Sequence, residues 1–538
     1  MKLTIDGIKD RDSWTKASFS LPLYDVEEAK QKAIERPRWV HFGIGNIFRV
    51  FIGGIGDKLL SEGYLDRGIT CVESFDYEVV DKIYKPFDNL SLSVILHNDG
   101  TREKRVIGAF SEAVKADSSD KKEWRRLKEV FVSPDLQIVS FTITEKGYAL
   151  RTTGGEYSTI TLSDIEYGPE KAKGAMSIVT SMLFERFKNG AMPIALVSMD
   201  NCSHNGSLLQ SAVIELSEKW YEKGFVDKAF LDYLHDESKV SFPWTMIDKI
   251  TPRPSLDILE SLKKDGVEDI EIIETKKRTY IAPFVNAEGP QYLVIEDKFP
   301  NGRPELEKAG VYLTDRDTVD KSERMKVTAC LNPIHTALGP YGVVLGYNLF
   351  SDEMRDDDML ALAQTVGYKE GLEVVPDPKI LSPRAFLDEC MNERFPNPYL
   401  GDTCQRLCTD ASQGLGVRFG VTISSYVNKY GDAKRLIGIP LAISGWLRYL
   451  LGIDDEGKTY NLAPDPMAEE VVERLSSIKY GHPESVGNSL KWILSNKNLF
   501  FIDLYEAGIG DIIEEIFRKE IVGPGSVRKT IKEYLGRE

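Results

Sequence analysis

Residues 322–342, SERMKVTACLNPIHTALGPYG, set a lysine, an asparagine and a histidine into an otherwise apolar run. A lysine in such a run is usually paired or functional. Reducing a ketone needs a hydride donor on one face of the carbonyl and a proton donor at its oxygen. Lys326 suits the second task if desolvation and a nearby cation lower its pKa from about 10.4. Asn332, and Asn201 in VSMDNCSHNG (197–206), are neutral donors suited to a developing alkoxide. His335 would orient Lys326 or hold a substrate hydroxyl. A plainer reading fits the same spacing: a surface lysine, a capping asparagine before Pro333 and a hydrogen-bonded core histidine.

A hydride donor needs its own site, and HFGIGNIFR (41–49) has the residues for one. Gly43 and Gly45 follow an apolar run directly. The first glycine permits a tight turn, and the second lets the backbone approach a pyrophosphate at a helix N-terminus. The helix would open with Asn46 and Ile47. The third fingerprint position is Phe48 instead of glycine, so the motif is imperfect, and an ordinary glycine turn stays open. The next apolar run ends in Glu73, with Asp76 close behind. An acid there accepts from an adenosine ribose and repels a 2′-phosphate, which predicts NAD. The alternative is a pair of solvated loop acids. Arg49 would balance the pyrophosphate or cap a surface. Thr142 and Thr144 in TITEKGY lie where a strand end would line the same crevice.

These residues need elements to hold them. Short apolar runs at 38–42, 69–73, 90–96, 136–142, 194–199 and 291–296 predict strands, with helical patterns such as 57–62 and 175–188 between them. That alternation predicts an α/β domain with a parallel sheet. Beyond TDRDTVDKSER the patterns turn helical, at 325–350, 356–368, 383–394, 440–451, 465–479 and 512–535. The expected division is a nucleotide-binding α/β domain over 1–318 and a mainly α-helical domain over 319–538.

The bulk composition narrows the partners. With 538 residues, 42% hydrophobic and 28% charged, the chain is ordinary globular material of two-domain size. A net charge of -16 argues against nucleic acid but leaves a small anionic substrate open. The opening MKLTIDGIKDRDSW has no apolar run behind a basic stretch, so no signal peptide is expected. No stretch approaches the roughly 18 apolar residues of a membrane span. Six scattered cysteines suggest reduced thiols in the cytoplasm. Cys404 and Cys408 form a CxxxC that reads more simply as two thiols one turn apart. With six histidines in the chain, no metal centre is expected.

Taken together, HFGIGNIFR, TITEKGY, DNCSHNG (200–206), MIDKITPRPS (246–255), QYLVIEDKFPNGRP (291–304), LNPIHTAL (331–338) and RFPNPYLGDTCQR (394–406) resemble the polyol-specific long-chain dehydrogenases. This family includes mannitol dehydrogenases and reductases of fructuronate and tagaturonate. The resemblance implies a Rossmann-type domain before a helical domain, NAD as cofactor, metal-independent chemistry and commonly a monomer. It implies Lys326 as proton donor, Asn201 and Asn332 at the carbonyl, His335 in the active site and Glu323 in proton exchange with solvent. It also implies Arg406 at the substrate, with Asn205 as a further contact.

Three departures stand out. The family spaces its Lys and Asn by four residues, whereas five separate Lys326 from Asn332. At about 100° per residue the extra one would turn Lys326 away. A π-bulge or break would restore the face, and Pro333 already removes one helical bond. Irregular helix geometry is therefore expected between Lys326 and Pro333. A substrate-contacting lysine of the family aligns near Gly414, with Arg418 as the nearest replacement. The family's Val-Asp-Arg reads Ile247-Asp248-Lys249. The branch resemblance points to reduction of fructuronate to mannonate, with Arg406 and either Arg418 or Arg303 clamping the carboxylate. Tagaturonate, mannitol, or a nucleotide-binding sensor without turnover are the alternatives.

Overall fold

The apolar runs of the first half become central strands because both faces of their sheet are covered. In the computed structural model, which describes residues 1–537, β1 (Trp39–Phe42), β2 (Ile69–Glu73), β3 (Phe110–Lys115), β4 (Ile138–Phe141), β5 (Ile194–Ser198) and β6 (Val240–Ser241) form one six-stranded sheet. Every neighbouring pair is parallel, in the order β3-β2-β1-β4-β5-β6. This is a doubly wound Rossmann sheet, whose winding reverses between β1 and β4. Along β1, Trp39 belongs to one apolar cluster with helix Gly53–Ser61. Val40 and Phe42 belong to another with helices Lys121–Phe131, Ala175–Lys188 and Asn205–Glu222. Two-sided burial selects continuous apolar runs over alternation.

Two expected strands lie outside this sheet. Ser91–Leu96 pairs antiparallel with Arg102–Ile107 in a four-stranded sheet. Tyr292–Glu296 pairs antiparallel with Thr245–Asp248 in a three-stranded one. The edge strand β3 was not expected, because FSEAVK carries charges. An edge strand tolerates them, and Glu112 is paired to Arg126 of the covering helix at 2.6 Å.

The chain divides into two compact units, Met1–Asp320 and Lys321–Glu538. The second is mainly helical. The expected helix over 325–350 is interrupted: helix Arg316–Met325 gives way to a wide π turn at Lys326–Cys330, and helix Asn332–Val344 follows. Similar wide turns end the helices Asp357–Gln364 and Pro383–Glu389, at Thr365–Gly371 and Cys390–Arg394. A fourth, Gly416–Gly420, precedes helix Val421–Tyr430. The expected helix over 512–535 is two, Gly510–Glu520 and Ser526–Tyr534, divided at Gly523-Pro524-Gly525. Helix Asn332–Val344 packs on Gly438–Tyr449, where Gly445 leaves room for the Tyr341 ring. The Tyr341 hydroxyl donates to the buried Glu520 carboxyl group at 2.5 Å. That hydrogen bond anchors the helix carrying Asn332 and His335.

Candidate active site

The chain leaves β1 through Gly43, at φ +86°. A Cβ there would lie 2.1 Å from the Thr142 carbonyl oxygen, so the position requires glycine. The Gly43 N–H donates to the Val72 carbonyl at 3.0 Å, and Thr142 Oγ1 donates to the Gly43 carbonyl at 2.7 Å. The turn is thereby tied to β2 and to the end of β4. A Cβ on Gly45 would meet nothing within 4 Å. Asn46 and Ile47 open the helix immediately after it. An unobstructed backbone at a helix N-terminus, beside the reversal of the sheet, fits the pyrophosphate of a dinucleotide.

Phe48 explains the missing third glycine. That glycine normally allows close packing of helix on strand. Here the helix widens over Phe48–Ile52, and the Phe48 ring stacks on His41 with centroids 4.1 Å apart. His41 lies 2.7 Å from Ser140 Oγ through Nδ1 and 2.8 Å from Thr142 Oγ1 through Nε2. Thr142 commits its proton to Gly43, so Nε2 of His41 is the donor. Burial holds this histidine well below its usual pKa, which keeps it neutral.

Four expected contacts turn out to be structural. The buried Arg49 guanidinium turns inward, donating to the Ala282 carbonyl at 2.6 Å and to Asn46 Oδ1 at 2.7 Å. It braces the first turn of the helix and does not reach outward to a phosphate. Asp76 Oδ2 accepts from the Thr275 and Thr279 hydroxyls at 2.5 and 2.6 Å, so it fastens a hairpin instead of a ribose. The fully buried Asn205 donates to the Asp200 carbonyl and to Thr245, and accepts from the Thr245 N–H at 3.0 Å. Its amide is consumed by the fold, leaving nothing for substrate. Arg303 is paired with Asp297 and Glu307, so it is no carboxylate clamp.

Glu73 remains at the end of β2, where a ribose would lie. Its Oε1 accepts from the Phe75 and Asp76 N–H groups, and burial raises its pKa. At the ends of β4 and β5, Asp200 does unexpected work. Its carboxylate accepts from the Ile143 and Thr144 N–H groups, both at 2.9 Å, and from the Tyr148 hydroxyl at 2.6 Å. Thr144, exposed, is held at a positive φ of +63° by that grip. Asn201, the next residue, is exposed on the loop the carboxylate anchors. An acid directly after an apolar strand was the available signal. Asp200→Ala is expected to lower Tm by releasing the Ile143 and Thr144 N–H groups, and to lower kcat by about tenfold or more if the adjacent Asn201 meets the substrate. Thermal unfolding and steady-state kinetics together check this.

In the second unit, Lys326 is buried and begins the wide turn. The Leu331 N–H donates to the Lys326 carbonyl at 3.1 Å, five residues back instead of four. A wide turn thus falls within the interval between Lys326 and Pro333 where irregular helix geometry was expected. Asn332 Oδ1 is buried and accepts no hydrogen bond among the described residues. It is one of several buried polar atoms that the fold leaves without a partner among the described residues. His335, one turn on, packs against the rings of Phe350 and Phe395, with centroids at 4.8 and 4.9 Å. Glu323 lies in the last turn of helix Arg316–Met325 and is partly exposed.

The two expected arginines differ. Arg406 is exposed and paired with Asp402 one turn away. Arg418 is half-buried, and among the described residues it forms no ion pair. Its Nη1 donates to Thr336 Oγ1 at 2.6 Å, on the helix of Asn332 and His335. Burial alone lowers its pKa. A Cβ on Gly414 would stand 2.8 Å from Arg418 Nε and Cζ. The guanidinium therefore occupies the space a side chain at 414 would take, which was not visible in the spacing.

Residues 37–308 match the family model for the mannitol dehydrogenase Rossmann domain, and residues 318–510 match that for the mannitol dehydrogenase C-terminal domain. A D-mannonate oxidoreductase of Thermotoga maritima is 52% identical over the whole of both chains. A substrate-free D-sorbitol dehydrogenase structure has a TM-score of 0.79 at 24% identity, covering 96% of this chain and 98% of its own. The Pseudomonas fluorescens mannitol 2-dehydrogenase, solved with NAD and D-mannitol, has a TM-score of 0.71 at 24% identity over all of both chains. These two likenesses bear on the fold.

Proposed function

The chain belongs to the mannitol dehydrogenase family, and from that premise we propose that it is an NAD-dependent oxidoreductase interconverting D-fructuronate and D-mannonate. The single observation that carries the choice of a sugar acid is Arg418. A guanidinium with no carboxylate partner among the described residues, lying over Gly414 and bonded to the helix of Asn332 and His335, is suited to a substrate carboxylate. The full-length similarity to a D-mannonate oxidoreductase supports the same reading.

Gly43, Gly45, Asn46, Ile47 and the β4 end at Thr142 and Thr144 hold the dinucleotide, and Glu73 takes the ribose. NADH supplies the hydride when bound. Lys326 delivers the proton to the carbonyl oxygen. Asn332 donates an amide hydrogen bond to that oxygen as negative charge develops on it, and Asn201 is a substrate contact of the first unit. His335 holds a substrate hydroxyl, and Glu323 relays the proton between Lys326 and solvent. Arg418 holds the carboxylate, and Arg406 supports it if Asp402 releases it. In the reverse direction Lys326 accepts the alcohol proton as general base. The cofactor assignment rests on backbone geometry, which gives a sharp contrast. Gly43→Ala should lower Tm, because its Cβ meets the Thr142 carbonyl. Gly45→Ala should leave Tm in place and weaken NADH binding alone, read by NADH fluorescence.

The reading is tested by incubating the purified chain with NADH and D-fructuronate and identifying the product by NMR. D-mannonate is expected in amounts equal to the NADH consumed. Turnover of D-tagaturonate or D-fructose without turnover of D-fructuronate would overturn it.

A further inference from the structure

The wide turn that begins at Lys326 creates a problem at the next carbonyls. Its last five-residue hydrogen bond runs from the Lys326 carbonyl to the Leu331 N–H, and the same register continued to Thr328 would meet no donor. Five residues beyond Thr328 stands Pro333, which has no N–H to give. A buried carbonyl without a donor destabilises the conformation that exposes it. Here a side chain supplies the donor. The hydroxyl of Thr422 donates to the Thr328 carbonyl at 3.0 Å, and Thr422 is itself buried at 3% exposure.

Thr422 lies two positions beyond the wide turn Gly416–Gly420 that carries Arg418. That turn packs on Lys326–Cys330, which also packs on Thr365–Gly371. One hydroxyl therefore joins the turn holding the proposed acid to the element holding the proposed carboxylate receptor. We propose that Thr422 is a positioning residue: its hydroxyl completes the hydrogen bonding of the wide turn and so keeps Lys326 on the face of Asn332 and His335. Without it, a tighter turn competes, and in that turn Lys326 rotates away from its partners. Thr422 touches neither substrate nor cofactor in this assignment. The inference rests on the reading of Lys326 as proton donor.

The test uses the full-length enzyme with Thr422→Val, which keeps the shape and removes the donor, and Thr422→Ser, which keeps the donor. Lys326→Ala runs alongside to judge the underlying reading separately. Thr422→Val is expected to lose tenfold or more in kcat, with KM and NADH affinity within about threefold of the parent and a displaced pH profile of kcat. Thr422→Ser should stay within about twofold. Adding Pro333→Ala to Thr422→Val restores an N–H at position 333 and should recover part of the loss. If Lys326→Ala is inactive and Thr422→Val keeps the parental kcat and pH profile, the inference is wrong. It is equally wrong if Ser and Val variants lose activity alike, or if Pro333→Ala recovers nothing. Parental turnover in Lys326→Ala would instead remove the reading beneath it.

Discussion

Lys326→Ala is expected to reduce kcat about a thousandfold, equivalent to about 4 kcal/mol of transition-state stabilisation. The size follows from its task. A positioned general acid contributes a hundred- to ten-thousandfold in typical enzymes. Lys326 is the one titratable proton donor among the residues proposed to meet the carbonyl oxygen, since Asn332 cannot transfer a proton. NADH affinity should be unchanged, because the residues assigned to the cofactor all belong to the first unit. Lys326→Arg should be nearly as poor: arginine keeps the charge but does not give up its proton at neutral pH. A parental rate in either variant would remove Lys326 from the chemistry.

The second large effect concerns Arg418. Arg418→Met retains the apolar stem and removes the charge. For a carboxylate substrate, kcat/KM is expected to fall roughly a hundredfold, about 2.7 kcal/mol, as expected for losing a charged hydrogen-bond partner. For D-fructose, which has no carboxylate, the change should be less than about threefold. Gly414 supplies a coupled check. In the parent, Gly414→Ala pushes a Cβ into the guanidinium, at 2.8 Å from Nε and Cζ, and should damage uronate turnover. In the Arg418→Met background the same change should cost much less, because the rigid charged group is gone. Additive losses in that double-variant cycle would show that the two positions do not share one space.

Much of this architecture was legible because the Rossmann strands are buried on both faces. Continuous apolar runs such as WVHF and ITCVE have few other places to go. The edge strand FSEAVK was not legible, since one exposed side permits Glu112 and Lys115 and blurs the pattern. The helical half was legible as helices but not in its breaks. Periodicity marks an apolar face, whereas a wide turn is decided by a single residue too many, as between Lys326 and Asn332. Counting that spacing did locate one of the four wide turns. The other three, including the one carrying Arg418, left no comparable signal.

The site divided along similar lines. Gly43 could be read from sequence because its backbone angle excludes other residues. Arg49, Asp76 and Asn205 could not, because their motifs look the same whether a side chain faces a ligand or the fold. Only hydrogen-bond partners decide, and Ala282, Thr275 with Thr279, and Thr245 consume them. Asp200 was overlooked for the opposite reason. Its importance lies in two backbone N–H groups and the Tyr148 hydroxyl, all some fifty residues away.

In the proposed function this family member reduces a sugar acid with Lys326 as acid and Arg418 as carboxylate receptor. The most direct measurement is kcat/KM for D-fructuronate and for D-fructose, with NADH, in the parent and in Arg418→Met. A parental preference for D-fructuronate of a hundredfold or more, collapsing in the variant, is the predicted result. Equal use of both substrates by the parent, or a preference for fructuronate that survives the loss of Arg418, would contradict it.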